Sequence, residues 1–298
     1  NLRRLMLEGR TPYDAYELHF YELALQLSGA VQAARYAETN TGSGYLYSFN
    51  GPHSLFADTI RSLRALTLAH HLGHVMLGEG ERNINLLGRA IEHADTTARY
   101  NVYFGEGRDT YDVAGRVVHE AIFNTNDGQF RCPSSQQGFS PFTTWTRGLS
   151  WVMSGYAEQL EFLDTVADAE LEPLGGRDQV RSMMLAAATA SCDFYIEHTP
   201  TDGVPYWDTG APGLAAMGDY LDRPAEPHNG HEPVDSSAAA IAAQGLLRLG
   251  RYLSAAGGLA GDLAGLAQRE IEPLLRGLMA ERIRDQHVRE RSHLHRLA

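Results

Sequence analysis

Cysteine is nearly absent: 298 residues carry only Cys132 and Cys192. They form no CxxC pair and have no metal-like spacing to histidine, which excludes a cysteine-built zinc or dithiol redox centre. At most they close a single bridge, and a reducing, cytoplasmic compartment is the expectation. Long apolar runs are missing as well. None approaches the roughly 20 residues of a spanning helix, and the opening NLRRLMLEGR lacks the apolar stretch of a signal peptide. The chain does not begin with methionine, so it is expected to be processed or incomplete. Basic residues are outnumbered, 25 against 37 acidic, for a formal net charge of −12. That balance excludes nucleic acid and membrane as partners, because such surfaces select basic patches. A single arginine in a cleft still suffices for a small anion. No Gly-rich phosphate loop follows a strand and no His/Cys/Asp cluster has ligand spacing, so neither a cofactor nor a metal is expected.

What is present is a globular composition, 43% hydrophobic, with helical periodicity almost throughout. In SLFADTIRSLRALTLAHHLG, Leu55, Phe56, Ile60, Leu63, Leu66 and Leu68 form one apolar stripe, which predicts a helix from a Ser54 cap to a stop at Gly73. The same periodicity predicts helices over about 12–38, 82–101, 143–166, 176–198, 234–256 and 262–285. Strand-like alternation is confined to a short hairpin near 108–124. The expected architecture is all-α, a single domain over 1–298 built from antiparallel helix pairs. Two connections, NTNDGQFRCPSSQQGFSP and the segment from Thr199 to Asp235, are long and rich in Gly, Pro, Asp and Asn, yet carry aromatic residues. Long loops of that kind inside a compact domain are usually functional.

Several residues on these segments can carry chemistry. QQGFSPFTTWTRGLSW brings together Gln137, Trp145, Arg147 and Trp151. The tryptophans are six apart and do not share a helix face, but both can border a cleft at the mouth of the helix. Sugar rings stack their C–H faces on aromatics, an amide both donates and accepts, and a guanidinium grips a carboxylate. The set fits an acidic sugar; the competing reading is two core tryptophans and an arginine paired with a surface acid. Tyr206 and Trp207, in PYWDTGAP, either face a ligand or cap a core. Asp235 or Ser236 caps the next helix, whose small residues allow close helix approach. Asp58 sits at the edge of an apolar stripe, either paired with Arg61 at i+3 or held as a carboxyl in an apolar cleft, and only the second makes a good general acid. His119, alone in the expected hairpin, is either a satisfied polar residue or part of a site.

Taken together, FADTIRSL, HEAIFNTNDG, QQGFSPFTTWTRGLSW, DGVPYWD and PVDSSAAAIAAQGLLRL resemble glycoside hydrolase family 88, the unsaturated glucuronyl hydrolases, in the family's own order. The resemblance implies an (α/α)6 toroid, incomplete in this chain. It implies as substrate and partner an oligosaccharide ending in a C4=C5 unsaturated uronic acid, with release of that sugar by hydration of the vinyl ether. Asp58 matches the family's acid/base aspartate. His119, Gln137, Trp145, Arg147 and Trp151 match its substrate-binding positions.

Three departures accompany the match. The asparagine of the family's aspartate helix is Ser62 here. The family's second important aspartate would fall before residue 1, with Asp14 a poor substitute, and the C-terminal DQHVRERSHLHRLA stops short of the family's last helix. A toroid truncated at both ends is therefore expected. The alternative functions are a uronyl-sugar-binding remnant without turnover, and an unsaturated rhamnogalacturonyl hydrolase of the related family 105.

Overall fold

The computed structural model describes residues 1–78 and 81–255. The helix expected over 262–285 lies outside the described residues. Helices α1 (Leu2–Leu7), α2 (Ala15–Ala34), α3 (Leu63–His71), α4 (Leu86–Tyr100), α5 (Thr146–Leu163), α6 (Asp168–Leu171), α7 (Arg177–Glu197) and α8 (Ser236–Ala255) make up the body. Their ends follow local chemistry. Asp14 Oδ1 accepts from the amides of Tyr16 and Glu17 at the start of α2, and Asn85 Oδ1 accepts from Leu87 and Gly88 at the start of α4. Gly73, at φ +73°, closes α3 as expected, its amide donating to His70 O.

Helix packs on helix through small residues. α5 is the hub, contacting α7, α8 and the segment that precedes α3. A Cβ on Gly245 of α8 would stand 2.9 Å from the Ser154 amide of α5, and one on Gly155 of α5 would stand 2.6 Å from Ile60 Cγ2. Ala238, Ala239, Ala242 and Ala243 of α8 are buried, and with the Gly245 contact the close approach read from this segment holds. α2 turns Gly29 and Ala33 inward but leaves Tyr16, Phe20, Leu23, Leu27 and Val31 about half exposed or more. No described helix is long and apolar enough to cross a membrane. Cys132 is exposed, Cys192 is buried, and neither is bonded to the other.

Two expectations are corrected. The stripe from Ser54 to Gly73 is not one helix: Ser54–Phe56 is a strand, Ala57–Ser62 a 3-10 turn, and only Leu63 onward is α-helix. Leu55 and Phe56 are buried within a sheet, where a short apolar run reads like a helix stripe. The hairpin is displaced as well. Residues 108–118 are turns and loop, and the hairpin is Glu120–Phe123 with Phe130–Ser134. Numbered in chain order, β1 (Tyr36–Glu38) pairs with β2 (Gly44–Leu46), β4 (Met76–Leu77) with β5 (Asn83–Ile84), and β3 (Ser54–Phe56) joins β6 (Glu120–Phe123) and β7 (Phe130–Ser134) in an antiparallel sheet of order β3-β6-β7. That small sheet carries the candidate site.

Two measurements follow. Gly155→Ala gains about 1 kcal/mol of helix propensity but overpacks Ile60 at a cost of about 1–3 kcal/mol, so its urea midpoint falls; an unchanged midpoint would show that the contact is slack. His93 is fully buried, its Nδ1 accepting from the Leu46 amide, and burial pushes its pKa down to about 3. The unfolded chain takes up a proton on this residue near pH 6.5 and the folded chain does not, so its contribution to stability falls as pH drops below about 6.5. Urea unfolding near pH 7 and near pH 5 checks it: the loss on acidification is larger in the wild type than in His93→Gln.

Candidate active site

The antiparallel register Ser54↔Ile122, Leu55↔Ala121, Phe56↔Glu120 continues one bond further, where the Ala57 amide donates to His119 O at 2.8 Å. The next residue, Asp58, thereby comes beside His119. Its Oδ1 is 4.0 Å from His119 Nε2 and its Oδ2 is 3.4 Å from an Arg61 guanidinium nitrogen, with the carboxyl side chain 13% exposed. Both alternatives read from the sequence are thus partly present: an i+3 ion pair, and a largely enclosed carboxyl.

His119 is the centre of the arrangement. Its Nδ1 accepts from the backbone amides of Gln136 at 3.1 Å and Gln137 at 3.3 Å. With amides donating into Nδ1, the ring proton of the neutral imidazole resides on Nε2. That Nε2 is buried and has no hydrogen-bond partner, and 4.0 Å to Asp58 is too long for one. The ring stacks on Phe56 (centroids 4.8 Å, planes 5° apart) and meets the edge of Trp145 at 4.9 Å. Burial pushes the His119 pKa below the usual histidine value, opposed by the negative charges of Asp58 and Glu120. The imidazole is therefore neutral at pH 7, a hydrogen-bond donor through Nε2 toward the Asp58 side.

The loop that supplies the two amides is clamped from its other end. Asp208, fully buried, accepts from Phe139 N at 2.8 Å and from Gly210 N at 2.9 Å. Burial raises its pKa, and the amide bonds work against that rise. A Cβ on Gly138 would stand 2.9 Å from Asp208 Oδ2 and 3.0 Å from Trp145 Cβ, so the position after Gln137 has room only for glycine. Asp208 also bridges to Trp145 in a short antiparallel contact, and the Thr146 amide donates to Trp207 O. Tyr206 is core, packed with Ala211, Leu214 and Met217, while the indole of Trp207 donates to Glu232 Oε2 at 2.7 Å.

α5 begins here, with Trp145 at its cap position. Arg147 and Trp151, four apart, share a face. Arg147 Nε and an Nη contact Asp235 Oδ2 at 2.9 and 2.8 Å, leaving the guanidinium side chain 43% exposed. Asp235 is buried; its other oxygen accepts from Ala238 N and so caps α8. Trp151 is half-buried, with the Arg61 guanidinium 5.0 Å over its ring. Trp145 is only 7% exposed and backs His119 rather than offering an open face. Gln137 is exposed.

The six residues singled out in the sequence are thus linked by observed contacts or by a shared helix face: Gln137 to His119, His119 to Asp58 and Trp145, Asp58 through Arg61 to Trp151, and Trp151 along α5 to Arg147. Asp14, by contrast, is an exposed helix cap whose hydrogen bonds are local. Sequence reasoning missed Asp208 and Glu120. Asp208 stands inside a quoted motif, but its partners are main-chain amides that no pattern encodes. Among the described residues no three His, Cys, Asp or Glu side chains converge as a metal site would require.

No family model matches the chain. In sequence it is similar to an unsaturated glucuronyl hydrolase of Formosa agariphila, 29% identical over 165 residues, which is 55% of this chain and 31% of that protein. It is also similar to one from Bacillus sp. strain GL1, 29% identical over 135 residues, 45% of this chain and 28% of that protein. In structure it is similar to the crystallised unsaturated glucuronyl hydrolase of Bacillus sp. GL1, with a TM-score of 0.55 at 21% identity, over 84% of this chain and 54% of that one. The chain thus spans about half the length of that structure, and its helical body has the (α/α) toroid fold. In sequence, over about half of its length, and in fold, the chain is similar to the unsaturated glucuronyl hydrolases of glycoside hydrolase family 88.

Proposed function

We propose that this chain releases the C4=C5 unsaturated uronic acid from the end of an oligosaccharide by hydrating its vinyl ether. The observation that carries the reading is the meeting of Asp58 with the unpartnered Nε2–H of neutral His119, 4.0 Å apart. That gap is too wide for a direct bond and suits a third polar atom, from substrate or water, between them.

The reaction needs one proton delivered and one removed. Asp58, as the acid, transfers its proton to C4 while the ring oxygen stabilises the cation that develops at C5. Water adds at C5 and loses a proton to the Asp58 carboxylate, which restores the acid. The resulting hemiketal opens and the neighbouring sugar departs. A single acid/base group serves both halves, unlike displacement at the anomeric carbon, which uses two carboxylates. His119 Nε2–H orients the water or a substrate oxygen. Arg147 holds the uronate carboxylate in its half-exposed fork, with Asp235 keeping that fork in place. Trp151 offers the stacking face, Trp145 stiffens the wall behind His119, and exposed Gln137 reaches substrate hydroxyls.

A second reading has an observation in its favour. Glu120, the acid next to His119, is held by Ser54 and Asn50, and Asp14, the one substitute the sequence offered for the family's second aspartate, is an exposed cap of α2. On this reading a site without that second aspartate binds the uronyl sugar and does not turn it over. One experiment separates the two. The ultraviolet absorbance of the C4=C5 bond is followed on unsaturated disaccharides with wild type and Asp58→Asn, alongside calorimetric binding. Hydrolysis predicts absorbance loss in the wild type and a fall of about 10²–10⁴-fold in the variant, with circular dichroism unchanged. Near-normal turnover by the variant would end the assignment of Asp58, and binding with a flat trace in the wild type would favour the second reading.

A further inference from the structure

A 3-10 turn stacks residues three apart one above the other, and the turn Ala57–Ser62 so sets Arg61 over Asp58. An Arg61 guanidinium nitrogen stands 3.4 Å from Asp58 Oδ2. The same guanidinium lies 5.0 Å over the ring of Trp151 on α5. Packing of the preceding residue brings it there. Ile60 Cγ2 fills the space that Gly155 leaves open, 2.6 Å from where a Cβ would stand. Trp151 lies one turn before Gly155 on the same face of α5, and it receives the residue that follows Ile60. Arg61 thus covers two groups of the candidate site at once, the acid and the stacking face.

It holds neither tightly. Its side chain is 49% exposed, and 3.4 Å is longer than a charge-assisted hydrogen bond. Among the described residues Asp58 is its one ionic partner. The neighbouring arginines are committed: Arg147 to buried Asp235, and Arg64, three residues on, to Glu158 of α5. An ion pair and a cation–π contact at a half-exposed position are both weak. A sugar ring that stacks on Trp151 needs the place the guanidinium occupies. A cation beside a carboxyl favours the carboxylate, whereas removal of that cation together with burial under a ligand favours the acid.

We infer that Arg61 is a placeholder: the incoming sugar displaces it from Trp151 and Asp58, and the vacated carboxylate takes up a proton from solvent, so that binding arms the acid. This role rests on the uronyl-oligosaccharide reading of the site. Arg61 vacates Oδ2, while Oδ1 faces the Nε2–H of His119. With a donor on the Oδ1 side, Oδ2 is the oxygen that receives the proton. The other charged and titratable groups nearby stay as they are. From β6, His119 is buried and neutral and Glu120 is held by Ser54 and Asn50; from α5, Arg147 remains on Asp235. Arg61 moves outward from a half-exposed position and gives up no other ionic partner among the described residues.

Hydration of the vinyl ether consumes water and no net proton, so a proton taken up on mixing reports binding and not turnover. The full 298-residue chain, Arg61→Gln, Arg61→Lys and Asp58→Asn are mixed with a panel of unsaturated disaccharides in weakly buffered solution. A pH-indicator dye follows the proton over about pH 5 to 8, and tryptophan fluorescence gives the affinity. The wild type is expected to take up as much as about one proton per site, and Asp58→Asn none. Arg61→Lys keeps the charge and the uptake. Arg61→Gln loses about half of the uptake or more while its affinity stays within about fivefold of wild type. Uptake in Arg61→Gln equal to that of wild type would overturn the placeholder. So would a loss of affinity of about tenfold or more in that variant, the mark of a residue that itself grips the uronate. Turnover by a wild type that takes up no proton ends the coupling and leaves hydrolysis standing. Arg61-dependent uptake with a flat absorbance trace does the reverse. No binding by folded wild type overturns both.

Discussion

Two backbone amides converge on one nitrogen of His119, and the candidate site depends on that contact. Gln136 and Gln137 can donate to Nδ1 only while it is unprotonated. The burial that disfavours the imidazolium therefore also secures the loop. The same constraint leaves Nε2 carrying the proton, on the side of Asp58. Without it the Gln-Gly loop would lose its anchor on the sheet, and Gln137, Gly138 and the approach to Trp145 would lose their common reference. One ring thus ties β6 to the loop and, through stacking, to Phe56 of β3.

That contact also explains why the helical array needs a small sheet at this point. Helix dipoles and caps can place a side chain to within a turn, but the spacing between Asp58 and His119 is set by a ladder. The β3–β6 register and the bond from Ala57 to His119 fix it directly. α5 then seats itself on the result: Gly155 admits Ile60, from the same 3-10 turn as Asp58, and Trp145 closes against His119. The acid is positioned from two sides, by sheet and by helix.

The helices were legible because their apolar periodicity survives in the structure, and caps such as Asp235 and stops such as Gly73 are local chemistry. The long aromatic-bearing loops stood apart from linkers for the converse reason, that a plain linker has no use for Trp145 or Trp207. The strand at Ser54–Phe56 was not. Burial inside a sheet erases the alternation that marks a strand, and the residues that follow continue the stripe into a true helix. Nor could spacing reveal that Trp145 is enclosed, or that the acid paired with Arg147 would be the buried cap of α8 rather than a surface residue. Those facts reside in contacts between segments far apart in the chain, as do the amide clamp of Asp208 and the loop clasp of Glu120.

Those tertiary contacts also favour one acid over the others for the proposed reaction. Asp208 is committed to two amides, Asp235 to Arg147 and a helix cap, and Glu120 to Ser54 and Asn50. Each is buried, and each would leave donors or a cation unmatched if it changed its protonation state during a reaction. Asp58 differs. Its neighbours stand at 3.4 and 4.0 Å, no shorter contact holds it, and its side chain keeps some access to solvent. It can gain and lose a proton without dismantling the fold. Vinyl-ether hydration asks for one such group, since the carbon that is protonated and the water that adds are served in succession. Three fixed acids that build the walls and one loosely held acid that faces the gap are the division of labour such a reaction requires.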